Sequence, residues 1–149
     1  MTELITTEQK FNNIMDGIKG HFRGAEIGVR VEGEGHPLLS GVYDKIVQAT
    51  ARKCQPLKMM EIGMNAGHSV VAYLNNCPDL VVHAVDICEH PYVKDCAEAL
   101  EAEYGDRFQF QQCDSQSLHK TDFIGYDLVR IDGGHHISNV TSDYDKCKV

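Results

Sequence analysis

The chain has 149 residues, a formal net charge of −8 and six cysteines. That length holds about one ordinary domain and can bury a core without disulfide staples. The negative charge argues against a nucleic-acid phosphate surface, and no apolar run approaches the ~20 residues that span a bilayer.

The N-terminus, Met1–Glu8, lacks a basic segment followed by an apolar one, so no signal peptide is expected. Cys54, Cys77, Cys88, Cys96, Cys113 and Cys147 are scattered without a CxxC and read as reduced thiols of a cytoplasmic protein. Phe11, Ile14, Met15 and Ile18 recur at helical spacing, so residues 4–19 are predicted to form an amphipathic helix. Residues 20–36 hold five glycines around a short apolar piece, Ile27–Val31, and read as a loop or lid. No GK[ST] follows them, so they are not a phosphate loop. Pro37 to Lys53 reads as a second helix with Leu39, Val42, Tyr43, Ile46 and Val47 on one stripe.

The organising stretch comes next. Met59-Met60-Glu61-Ile62 is a short apolar run ending around an acid. Gly63 and Gly67 follow, then the helix-compatible run Ser69–Leu74. This predicts a buried strand at 58–62, a glycine turn and a helix. Strand and helix then alternate: a strand at 81–86, a helix from Pro91 to Tyr104 closed by Gly105, a strand at 108–111, a short polar helix or loop, a strand at 126–132, the Gly133-Gly134 turn and a helix over 136–149. That alternation means parallel crossovers and an α/β, Rossmann-like, doubly wound sheet. Two regions are expected: an N-terminal helical or lid region at 1–57 and a binding domain at 58–149.

Each strand ends in or near an acid: Glu61, Asp86, Asp114 and Asp132. A single acid there is often a helix cap. Four together, at the strand ends where open α/β sheets bind ligands, point to a shared site. The turn Glu61-Ile62-Gly63-Met64-Asn65-Ala66-Gly67 is not GxGxxG, because Asn65 stands where a dinucleotide needs glycine for the approach of its pyrophosphate. An acid before the turn suits a ligand with an amino group. Together with Asp86, placed to take ribose hydroxyls, this favours an adenosyl amino acid over NAD.

At these residues the chain resembles the class I S-adenosylmethionine-dependent methyltransferases, the small O-methyltransferase-like branch in particular. The resemblance rests on four blocks in order: Glu61–Ser69, Asp86–Val93, Asp114-Ser115 and Ile131–His135. It implies S-adenosyl-L-methionine as cofactor. Gly63, Asn65 and Gly67 would shape the turn under its methionine part, and Glu61 would engage the methionine end. His68 would lie beside the methionine carboxylate. Asp86 would take the ribose hydroxyls, with Ile87 against the adenine and Asp114 and Ser115 at the adenine edge. Asp132 would sit below the methyl donor, facing a small-molecule acceptor. The resemblance also implies strand order 3-2-1-4, truncated before strands 5–7. A homodimer or a partner chain would then complete the sheet.

Asp132, His135 and His136 are the catalytic candidates. A histidine titrates near neutrality and can take a proton from an acceptor hydroxyl. Asp132 with a histidine could instead hold a divalent metal. The resemblance places the remaining metal ligands near strand 5, so a metal is not favoured. Both histidines could equally open a surface helix. The competing readings are a non-catalytic S-adenosylmethionine- or nucleotide-binding domain and a protein-interaction scaffold.

Overall fold

The computed structural model describes residues 9–14 and 41–148, with only the backbone of 41–44. The predicted loop at 20–36, the start of the second helix at Pro37 and the stripe residues Met15, Ile18 and Leu39 lie outside the described residues. The helices are α1 (residues 9–14), α2 (Gly41–Cys54), α3 (His68–Asn76), α4 (Val93–Tyr104) and α5 (Ile137–Cys147). The strands are β1 (Lys58–Ile62), β2 (Val81–Asp86), β3 (Phe108–Gln112) and β4 (Leu128–Ile131).

These strands form one parallel sheet of order β3-β2-β1-β4. This is the predicted order, and β1 and β2 take the predicted bounds. β4 is shorter than the predicted 126–132; just before it the Asp127 carboxylate accepts the backbone N–H groups of Leu57 and Lys58, both at 2.9 Å, while its own N–H donates to Lys58 O at 2.9 Å.

Alternation along each strand sorts side chains to two faces. Met59, Val82, Ala84 and Phe108 pack with Phe11 of α1, Val47 of α2, Val70 and Leu74 of α3 and Leu100 of α4. Met60, Ile62 and Val85 pack on the other face with Leu118 and Phe123, and Cys147 at the end of α5 lies against them. Both faces are thus covered, as a parallel sheet requires. Among the described residues before position 58, Phe11 and Val47 are buried in the first core, with Ile14 and Ala51 packed against it. Of the predicted α2 stripe, Val47 is buried while Ile46 is 55% exposed, so the buried face runs through Val47 and Ala51.

Arg107 closes the lower end. It donates to the carbonyls of Leu74 (2.8 Å) and Cys77 (2.7 Å) at the end of α3 and to Leu80 (3.2 Å) before β2. β4 lies at the sheet edge with all four residues half-buried. Beside it α5 leaves Ile137, Val140 and Tyr144 exposed. None of the six cysteines forms a disulfide. Among the described residues, no helix is long and apolar enough to cross a membrane.

Candidate functional site

The carboxyl ends of the strands are tied at one level by backbone bonds that continue past the ladders. Gly63 N–H donates to Val85 O and Asp132 N–H to Ile62 O, both at 2.8 Å, and Cys113 N–H donates to Asp86 O at 2.9 Å. Between β1 and α3 the chain then takes three left-handed residues: Gly63 (φ 85°), Asn65 (φ 51°) and Gly67 (φ 85°). Glycine is required at Gly63, because a Cβ there would stand 2.2 Å from the Asp132 carbonyl oxygen. At Gly67 it would meet a methyl of Leu100 at 2.4 Å. Asn65 tolerates the left-handed region without such crowding.

Asp86 locks this turn. Its Oδ2 accepts Asn65 N–H at 2.9 Å and its Oδ1 accepts Cys88 N–H at 2.7 Å. Tyr92 donates its hydroxyl to Asn65 Oδ1 at 2.7 Å, joining the turn to the start of α4. The Asp114 carboxylate accepts Gln116 N–H at 2.9 Å and starts a 3-10 turn, Ser115–Ser117. That turn is held from α5: the buried Asp143 accepts Ser115 Oγ–H and the Gln116 amide, both at 3.0 Å.

Over these strand ends lies a cavity of about 610 Å³, within the usual size of small-molecule sites. Of the predicted residues, Gly63, Asn65, Asp86, Ile87, Asp114, Ser115, Asp132, His135 and His136 line it. Among the described residues, the wall with Glu89 holds four carboxylates and no lysine or arginine.

Glu61, Gly67 and His68 do not line the cavity. Gly67 serves the packing of α3 on α4. His68 is buried and stacks on Phe11, ring centroids 3.9 Å apart, so it belongs to the contact between α1 and α3. Glu61 is fully buried behind the turn. Its Oε1 accepts the Ser69 hydroxyl and the Arg130 guanidinium, and its Oε2 has no hydrogen-bond partner among the described residues. Burial pushes the Glu61 carboxyl up, against the pull of Arg130 and the Ser69 bond.

Arg130 and Asn139 were not singled out as site residues from the sequence. Arg130 also pairs with Asp132, Nη2 to Oδ2 at 2.6 Å. Asn139, on the first turn of α5, lines the cavity and presses its amide on Gly134, where a Cβ would lie 2.5 Å from Nδ2. Its signal was a glycine pair just before a helix with a polar residue in its first turn. Among the described residues, no group of three or more His, Cys, Asp or Glu side chains is placed to hold a metal ion.

A family profile described as "Methyltransferase domain" matches residues 60–148. Solved structures share the fold. A Staphylococcus aureus protein assigned as a candidate caffeoyl-CoA O-methyltransferase is 13% identical at a TM-score of 0.60, covering 91% of this chain and 66% of its own. The Podospora anserina methyltransferase PaMTH1, bound to SAH, is 19% identical at 0.57, with coverage of 90% and 64%. A Bacillus cereus O-methyltransferase in complex with SAH is 14% identical at 0.59, with coverage of 99% and 69%. The chain therefore spans about two thirds of these proteins' length. A search of curated protein sequences returns no match.

Proposed function

The chain belongs to this methyltransferase-domain family, and from that premise we propose that it binds S-adenosylmethionine and transfers the methyl group to an oxygen of a small-molecule acceptor. The observation that carries the reading is the cavity wall: Asp86, Glu89, Asp114 and Asp132 with no lysine or arginine among the described lining residues, beside a left-handed glycine turn. Such a wall attracts a ligand bearing sulfonium and ammonium charges and repels a pyrophosphate. The buried Glu61 Oε2 behind the turn, without a hydrogen-bond partner among the described residues, also suits a cationic amino group nearby. S-adenosylmethionine bound there supplies an electrophilic methyl group whose leaving group is a neutral thioether.

In this reading Gly63, Asn65 and Gly67 fix the shape of the turn. Asp86 keeps acceptor capacity for ribose hydroxyls after its two backbone bonds, since each carboxylate oxygen has a second lone pair. Ile87, 51% exposed, offers an apolar surface to the adenine, and Asp114 and Ser115 its polar edge. Asp132 faces the acceptor, and His135 or His136 takes the hydroxyl proton. Residues 58–149 form the binding domain and 1–57 its cover, in the cytoplasm. The open β4 edge and the exposed face of α5 support pairing with a second copy or a partner chain.

Calorimetry with S-adenosylhomocysteine and NAD tests the reading: S-adenosylhomocysteine binds and NAD does not. Asp86→Ala weakens binding by about 1–3 kcal/mol. Tighter binding of NAD overturns the proposal. A second reading is binding without turnover. Methyl release from labelled cofactor over a panel of hydroxyl acceptors separates the two.

A further inference from the structure

Arg130 and Glu61 are register partners on β4 and β1. Register partners in a parallel pair project to the same face, and so does the residue two positions on, here Asp132. The guanidinium spans both acids, with Nη1 2.5 Å from Glu61 Oε1 and Nη2 2.6 Å from Asp132 Oδ2. The Arg130 side chain is 21% exposed, against 0% for Glu61 and 46% for Asp132. One cation thus joins a carboxylate that water does not reach to one on the cavity wall.

A buried carboxylate without a counter-ion protonates or destabilises its surroundings. Among the described residues, the groups facing Glu61 are few. From β4 come Arg130 and Asp132; from α3 come Ser69, which bonds it, and Tyr73, whose hydroxyl burial raises. Arg130 is the only cation in this set. Its planar fork can serve two carboxylates at once, which a lysine ammonium does less well.

We propose that Arg130 is a positioning residue: it holds Glu61 as a carboxylate behind the glycine turn and Asp132 against the cavity wall, so that the cofactor-side acid and the acceptor-side acid share one cation. This rests on the S-adenosylmethionine reading for its ligand. Loss of Arg130 then has two effects. Glu61 takes up a proton and no longer favours an ammonium group in the turn, and Asp132 is released into the cavity.

The test uses the full chain with three variants: Arg130→Met, Arg130→Lys and the double variant Glu61→Gln/Arg130→Met. The side-chain carboxyl carbon of Glu61 is followed by NMR against pH without ligand, and S-adenosylhomocysteine affinity is measured at about pH 6 and about pH 8. Arg130→Met is expected to raise the Glu61 titration midpoint. It should weaken binding about tenfold or more at the lower pH, with a smaller loss at the higher pH, where Glu61 ionises again. Arg130→Lys should lie between wild type and Arg130→Met. The double variant should bind weakly at both pH values, because its buried charge is gone. Arg130→Met with both the Glu61 midpoint and the affinity unchanged overturns the proposal. Should Arg130→Met not fold, wild-type affinity in the charge-balanced double variant overturns it equally. If the wild type does not bind S-adenosylhomocysteine, the functional reading fails by itself, and the Glu61 titration still decides whether Arg130 holds that charge.

Discussion

Alanine at Gly63, Gly67 and Gly125 separates backbone strain from crowding, because all three have φ +85° and differ in what a Cβ would meet. At Gly125 nothing lies within 4 Å, so Gly125→Ala carries only the left-handed strain, about 1–2 kcal/mol. At Gly67 the obstacle is one methyl of the fully buried Leu100. A side-chain end can shift, at an overpacking cost of about 1–3 kcal/mol, which brings Gly67→Ala to about 2–5 kcal/mol. At Gly63 the obstacles are backbone: Asp132 O at 2.2 Å, Asp132 C at 2.5 Å and Gly133 Cα at 2.6 Å. They cannot retreat without stretching the bond from Asp132 N–H to Ile62 O, a further loss of about 1 kcal/mol. Gly63→Ala is therefore expected to cost about 3–6 kcal/mol, a large share of the 5–15 kcal/mol typical of a domain. Urea unfolding gives the three values, and each kcal/mol lowers the melting temperature by about 2–4 °C. If Gly63→Ala is no worse than Gly125→Ala, the ends of β1 and β4 are not packed as described and the reasoning fails.

His83 donates or accepts at 2.6 Å from the Tyr126 hydroxyl, and burial followed by the Lys58 charge pulls its imidazole below the ordinary histidine value. The fold thus prefers neutral His83, so its contribution is present above about pH 6.5, the unfolded value, and is lost as pH falls from there toward the folded value. His83→Phe should flatten the stability curve between about pH 7 and pH 5; an unchanged slope in urea titrations contradicts this. Arg107→Met removes a charged donor from three carbonyls, of which Cys77 O keeps the Leu80 N–H, and should cost about 2–4 kcal/mol, whereas a loss under about 1 kcal/mol would mean water replaces the guanidinium freely. The chain is expected to self-associate through the β4 edge and the α5 face, where Ile137 is 85% and Tyr144 54% exposed. Light scattering should show lysine at both positions lowering the association, and a monomeric wild type at every concentration would refute it.

The succession of β1, α3, β2, α4, β3, β4 and α5 was legible in the chain, as were the glycine turn and the acids Asp86, Asp114 and Asp132 at the cavity. Each depends on local information: alternation, apolar periodicity, and turn residues at strand ends. The sheet order followed from the family resemblance and the handedness of crossovers. What the sequence could not supply was register and depth. That Glu61 faces Arg130 across β1 and β4, and so points behind the turn instead of into the cavity, depends on how two strands far apart in the chain align. His68 stands in the glycine motif, yet Phe11 from α1 covers it. Asp143 reads as an ordinary helix acid, yet it is 1% exposed because Ser115 and Gln116 meet it from another turn. A one-dimensional pattern records which side chains can be buried or charged. Which of them share a hydrogen bond is set only when separate elements pack, because the energy of a buried charge depends on the partners that packing brings within reach.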